Sequence, residues 1–225
     1  MTKMLASVNS VTEALLVLNA QVDIIDLKQP ASGALGALDT ALVADIVEKI
    51  AGRCPVSATV GDLPMQPELI FNAVKAMAET GVDYIKIGFF PDGDSFAVAE
   101  KLSELAKTYQ LIAVLFADTQ PDFSLIPALK SSGFTGVMLD TMNKQQGSLT
   151  QAMTKTDIVR FVNLAKTKSL ICGLAGSLKL ADIDALLPLQ AEYLGFRGAL
   201  CVGQHRTGQL HPATIAQIKQ AIKQF

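Results

Sequence analysis

Two lysines occupy matching places in this chain. Lys28 ends the apolar run Asp23-Ile-Ile-Asp-Leu-Lys28, which Gln29-Pro30 stops. Lys86 stands near the end of a second run, Tyr84-Ile-Lys-Ile-Gly-Phe-Phe90. A loop of small residues with Gly33 and Gly36 follows the first. An ammonium is expensive to bury, so an apolar strand that ends on one needs a reason to keep it. Amine chemistry on a carbonyl supplies one: a neutral lysine attacks the carbonyl carbon and forms an imine. The ordinary lysine pKa of about 10.4 leaves little neutral amine at pH 7. Desolvation and a nearby second ammonium both shift the balance toward the neutral form. Lys28 and Lys86 can do this for each other, one as nucleophile and the other as acid–base partner. The plainer alternative is two lysines that reach solvent or pair with Asp26 and Asp140.

The elements that must position these lysines follow from periodicity. Short apolar runs alternate with longer stretches of helical spacing. The expected strands are Met4–Val8, Val22–Leu27, Val56–Val60, Tyr84–Phe89, Leu111–Phe116, Gly136–Leu139, Leu170–Leu174 and Tyr193–Gly195. The expected helices are Val11–Asn19, Thr40–Ala51, Pro67–Thr80, Ser95–Tyr109, Phe123–Ser131, Lys155–Thr167, Leu180–Leu187 and Pro212–Gln224. Strand and helix alternate eight times, in units of roughly 28 residues, which implies a (β/α)8 TIM barrel. A doubly wound open sheet is the second choice. No linker or low-complexity tract divides the chain, so residues 1–225 read as a single domain.

Active sites in such barrels lie where the strands end. Asp26, Lys28, Lys86, Asp140 and Arg197 then converge on one mouth, with Asp26 on the same side of its strand as Lys28 and able to hold or steer it. Asp140-Thr-Met-Asn-Lys144 adds a third lysine, in a loop whose Gln145-Gln-Gly147-Ser148 continuation reads as mobile. Lys144 is then either a residue that closes over substrate or a solvated loop lysine. Gly176-Ser177 and Gly198 fall in the seventh and eighth units, where backbone N–H groups often cradle phosphate. Arg197 can bond the same phosphate or pair with Asp140 or another rim acid.

Composition excludes several other classes. The 225 residues are 50% hydrophobic with a formal net charge of −2, which offers no nucleic-acid face. No apolar run reaches the roughly 20 residues that span a bilayer, so no membrane role is expected. The N-terminus shows no secretory signal, and the expected location is cytoplasmic. Cys54, Cys172 and Cys201 lack metal-site spacing and read as buried thiols. No dinucleotide or phosphate-loop motif appears, so neither metal nor cofactor is expected.

The segments DIIDLKQP, VSATVGDLP, DYIKIG, MLDTMNK, LAGSLK and GFRGALC run in order from Asp23 to Cys201. Together they resemble the (5-formylfuran-3-yl)methyl phosphate synthase family, also called 4-(hydroxymethyl)-2-furancarboxaldehyde-phosphate synthase. His205 departs from that pattern, which has an acidic residue before the arginine, and Ala117–Pro121 is shorter than its counterpart. The resemblance implies a barrel lyase that joins two molecules of glyceraldehyde 3-phosphate into a phosphorylated furan aldehyde. That product serves methanofuran and methylofuran biosynthesis in one-carbon metabolism. By motif, Lys28 is the Schiff-base lysine and Lys86 the proton acceptor, with Asp140 and Lys144 as the further acid and lysine. Triose phosphates would be the partners, and a homo-oligomer is expected. The alternatives are another Schiff-base sugar-phosphate aldolase or dehydratase, or a non-catalytic phosphometabolite-binding barrel.

Overall fold

The computed structural model describes residues 1–223. Eight parallel strands close into a barrel in sequence order, so the open-sheet alternative is set aside. The strands are β1 (Lys3–Val8), β2 (Ile24–Leu27), β3 (Val56–Thr59), β4 (Tyr84–Phe89), β5 (Gln110–Phe116), β6 (Gly136–Asp140), β7 (Ile171–Leu174) and β8 (Tyr193–Phe196). Closure pairs β1 with β8, with Lys3 opposite Tyr193 and Ala6 opposite Phe196. The helices are α1 (Val11–Asn19), α2 (Thr40–Ile50), α3 (Pro67–Ala78), α4 (Ser95–Ala106), α5 (Leu125–Ser131), α6 (Leu149–Ala152), α7 (Lys155–Thr167), α8 (Ile183–Leu186) and α9 (Pro212–Lys223). The expected end of the last helix, Gln224, lies outside the described residues. No helix of the described residues is long and apolar enough to cross a membrane.

Local chemistry starts the helices where the barrel needs them. The side chains of Ser10, Asp39, Asp94 and Thr154 accept backbone N–H bonds at the N-termini of α1, α2, α4 and α7. Pro67 stands in the first turn of α3 and Pro212 opens α9, where proline's missing N–H removes nothing. Gly81 and Gly133 follow α3 and α5 with φ of +83° and +87° and turn the chain into the next strand. The seventh unit departs from expectation. Instead of one helix over Leu180–Leu187, α8 is a single turn between two 3-10 segments, Leu180–Asp182 and Leu187–Leu189. Pro188 cannot continue the α ladder, and Asp182 is drawn to Ser148 and Thr150 across the loop.

Because the helices cover the outside and side chains fill the inside, the strands are buried on both faces. The outer layer packs Val43, Ile46, Ile70, Val74, Phe161 and Ile218 against the sheet. Inside, Leu5, Ile24, Ile112, Val114, Phe116 and Met138 form a separate cluster. Met138 fills space left by Gly173 and Gly195, whose missing Cβ atoms would stand 3.1 and 3.0 Å from it. This packed floor leaves the polar interior residues at the strand C-termini, where the barrel opens.

Candidate active site

Three adjacent strands present one polar row. Ser7, Asp26 and Ser57 are register partners across β1, β2 and β3, so their side chains point the same way. Ser7 donates to one carboxylate oxygen of Asp26 and Ser57 to the other, each at 2.7 Å. Lys86 reaches over from β4 and donates to Asp26 at 2.9 Å. The carboxylate is fully buried and would by desolvation alone be pushed up. Lys86 and Lys28 outweigh that, with the hydrogen bonds of Lys86 and Ser57, and hold it below the usual carboxylate range. Asp26 therefore anchors Lys86, not Lys28 as its position two residues before Lys28 suggested. Asp26 is not among the residues that line the open cavity, and its described contacts are internal.

A second carboxylate serves the other two lysines. Asp140, at the end of β6, hydrogen-bonds Lys144 through one oxygen, while its second oxygen lies 3.9 Å from Lys28 Nζ. Burial works to raise the Asp140 pKa, but Lys144 and Lys28 prevail and bring it down to about 2. Lys144 is thus not a solvated loop lysine: its side chain is 10% exposed and already in the site. The loop that carries it is fastened by Ser148 and Thr150 bonding to Asp182, and by the reciprocal cap between Ser148 and Gln151. The Ser177 hydroxyl also donates to the Lys144 carbonyl at 3.4 Å.

Lys28 is the amine whose charged form this arrangement disfavours. It is buried, it shares Asp140 with a competitor, and its pKa falls to about 8. Burial is the largest cause, and Lys144 and then Lys86 push the same way against Asp140 and Asp26. The expected electrostatic partner Lys86 pushes in the expected direction but contributes least among these neighbours. Desolvation of a charged lysine destabilises the fold, and the sign of its pH dependence is fixed. Below pH 8 Lys28 is protonated both folded and unfolded, and the full penalty of roughly 3 kcal/mol applies. Between pH 8 and about 10.4 the unfolded chain binds more protons, and the penalty fades. Lys28→Met is therefore expected to melt several degrees higher than wild type at pH 7. The difference should shrink steadily as melts are repeated up to pH 10. An equal or lower melting temperature at pH 7 would mean that Lys28 is not desolvated.

These groups line one cavity of about 470 Å3 at the mouth, well within the range of small-molecule sites. Its walls include Gly176, Ser177, Gly198 and Ala199 from the loops after β7 and β8. Gly176 has φ of +109°, and a Cβ there would stand 2.9 Å from Thr141 Cγ2, so glycine alone lets the two loops meet. Six cationic side chains reach the cavity, and Asp140 is the one carboxylate among the described residues that lines it. Lys86, Lys144 and Arg197 are matched by Asp26, Asp140 and Glu13, and Lys28 shares Asp140 with Lys144. Lys28, Lys179 and Arg206 supply the excess positive charge that an anionic ligand would meet.

Arg197 does not face such a ligand in the expected way. Its guanidinium forms a two-pronged pair with Glu13, at 2.5 and 3.2 Å. Its remaining donors go to the carbonyls of Ser7, Arg206 and Gly208. Of the two pairings open to it, Arg197 takes the rim acid rather than Asp140, and a guanidinium with five N–H groups has none left over. Arg206 was missed by sequence reasoning because it falls in an irregular loop with no periodicity to orient it.

Comparison with known proteins gives this arrangement a context. The family model described as 4-HFC-P synthase matches residues 4–219. The (5-formylfuran-3-yl)methyl phosphate synthase of Methanobrevibacter smithii is 32% identical over 95% of this chain and 95% of its own. A protein of Methylorubrum extorquens, provisionally given the same name, is 39% identical over 98% of this chain and 92% of its own. Among solved structures, 3-hexulose-6-phosphate synthase from Salmonella typhimurium superposes with a TM-score of 0.69 at 14% identity, over 99% of both chains, a likeness of fold alone. With a match over nearly its whole length and relatives of this identity, the chain is an enzyme of the 4-HFC-P synthase family.

Proposed function

We propose that this enzyme condenses two molecules of glyceraldehyde 3-phosphate into (5-formylfuran-3-yl)methyl phosphate through an imine on Lys28. Atom balance then requires loss of one phosphate and two waters, which makes the enzyme a carbon–oxygen lyase. The product would feed methanofuran or methylofuran biosynthesis. The observation that carries the reading is Lys28 itself: a buried strand-end amine with a lowered pKa, opening on a cation-rich cavity, in a chain of this family.

The residues divide the work by their partners. Lys28 as free amine adds to the first triose aldehyde and gives a carbinolamine. Lys86, ion-paired to Asp26, gives its proton to the carbinolamine hydroxyl, which leaves as water. The resulting neutral Lys86 takes a proton from the carbon beside the imine, which yields an enamine and restores the ammonium. The enamine attacks the aldehyde of the second triose, held in the same cavity. Asp140 steadies Lys28 and Lys144 while charge develops and collapses. The loops bearing Gly176, Ser177 and Gly198 supply backbone for a phosphate group at the cavity wall.

The assay is incubation with glyceraldehyde 3-phosphate alone, followed by mass analysis and the absorbance of a furan aldehyde. A furan phosphate and free phosphate are the expected products. A six-carbon aldol product without furan absorbance would assign the site to ordinary Schiff-base aldolase chemistry. Ligand binding with no covalent product would leave only a phosphometabolite-binding barrel. A cytoplasmic location and a homo-oligomeric state belong to the same reading, and light scattering of the purified protein tests the second.

A further inference from the structure

Two arginines reach the mouth, and the fold treats them in opposite ways. Arg197 is buried, ion-paired to Glu13 and saturated by carbonyls. Arg206, nine residues on, is half-buried and lines the cavity beside Lys28, Asp140 and Gly198. Its guanidinium makes one hydrogen bond, to the Gly33 carbonyl at 2.9 Å. Among the described residues no carboxylate is in ion-pair contact with it.

The nearby acids are committed elsewhere. Asp62 accepts the N–H groups of Ala34 and Leu35, both at 2.7 Å, and so pins the loop that presents the Gly33 carbonyl. Asp140 is taken by Lys144 and Lys28. Four of the five guanidinium N–H groups of Arg206 have no hydrogen-bond partner among the described residues. A partly desolvated cation with a planar fork of free donors suits a tetrahedral oxyanion, which it can grip through two parallel bonds.

The position of Arg206 indicates which anion. Its backbone carbonyl accepts from Arg197 Nε at 2.8 Å, so the buried Arg197–Glu13 pair fixes the loop that carries it. Its side chain crosses to the loop that follows Lys28. We propose that Arg206 is the binding residue for a phosphate ester of the substrate, and that Arg197 is its support and not a phosphate ligand. This rests on the triose phosphate reading for the identity of the ester, but the anion site itself can be tested without any turnover.

The first test uses the wild-type protein, phenylglyoxal as an arginine reagent, inorganic phosphate as probe, and peptide mass mapping. Arg206 should be labelled, Arg197 should resist, and millimolar phosphate should protect Arg206. The second is calorimetric titration of phosphate into wild type, Arg206→Lys and Arg206→Met. Affinity should fall at least about 10-fold in the methionine variant and less in the lysine variant, which keeps the charge but not the fork. In steady-state assays KM for the triose phosphate should rise more than kcat falls, whereas a merely structural lesion would move the melting temperature instead. Labelling of Arg206 that phosphate does not suppress, or equal phosphate affinity in wild type and either variant, would overturn the proposal. If phosphate binds through Arg206 but glyceraldehyde 3-phosphate yields no furan, the anion site stands and the assigned reaction falls.

Discussion

Lys28→Arg is expected to reduce furan formation by at least about 10^4-fold, because it removes the nucleophile rather than weakening it. Guanidinium stays protonated at every accessible pH and cannot form the imine. The variant keeps a cation beside Asp140, so a charge effect alone would be largely preserved. Bound triose phosphate should still be measurable by calorimetry, since the excess cations Lys179 and Arg206 remain. Residual turnover within about 100-fold of wild type would show that Lys28 contributes charge and not covalent chemistry.

The second large effect belongs to Lys86→Gln. Loss of a positioned proton donor and acceptor should lower turnover by about 10^2- to 10^4-fold. Imine formation at Lys28 should slow, because the carbinolamine loses its positioned proton donor, and the imine that does form should be trapped by borohydride without release of product. Its pH dependence separates the neighbours of Lys28. Because Lys86 acts most weakly among the charged neighbours of Lys28, its removal should raise the apparent pKa of trapping only slightly. Lys144→Met should raise it more, since a stronger like charge is lost and Asp140 is freed to hold the Lys28 ammonium. Asp140→Asn should move it the other way, to lower pH, because the main group favouring the charged amine is gone. Trapping rates measured from pH 6 to 10 in the four proteins would show the order. An unchanged profile in Lys144→Met would mean burial alone sets the reactivity of Lys28.

What the sequence revealed, and what it hid, follows from the range of each interaction. Strand-end lysines are local features: a lysine closing an apolar run is visible wherever it occurs, and eight alternating units imply closure. Partner choice is not local. Asp26 lies two residues from Lys28 in sequence but bonds Lys86, two strands away, because the register of β2, β3 and β4 sets what each side chain can reach. Arg197 meets Glu13 across 184 positions because closure lays β8 beside β1 and brings the start of α1 to the rim. The Lys144 loop reads as mobile from its glutamines and glycine. Its anchor, Asp182, comes from the next unit and leaves no mark within the loop. Arg206 is hidden for a related reason: its direction depends on the irregular backbone after Gly203, where neither helical nor strand period applies.

The most direct test of the account is borohydride reduction during incubation with glyceraldehyde 3-phosphate, followed by peptide mass mapping. A single reduced triose adduct is expected on the peptide containing Lys28, formed faster as pH rises toward 8 and absent from Lys28→Arg. An adduct confined to Lys86 or Lys144, or furan produced at full rate with no lysine ever trapped, would contradict it.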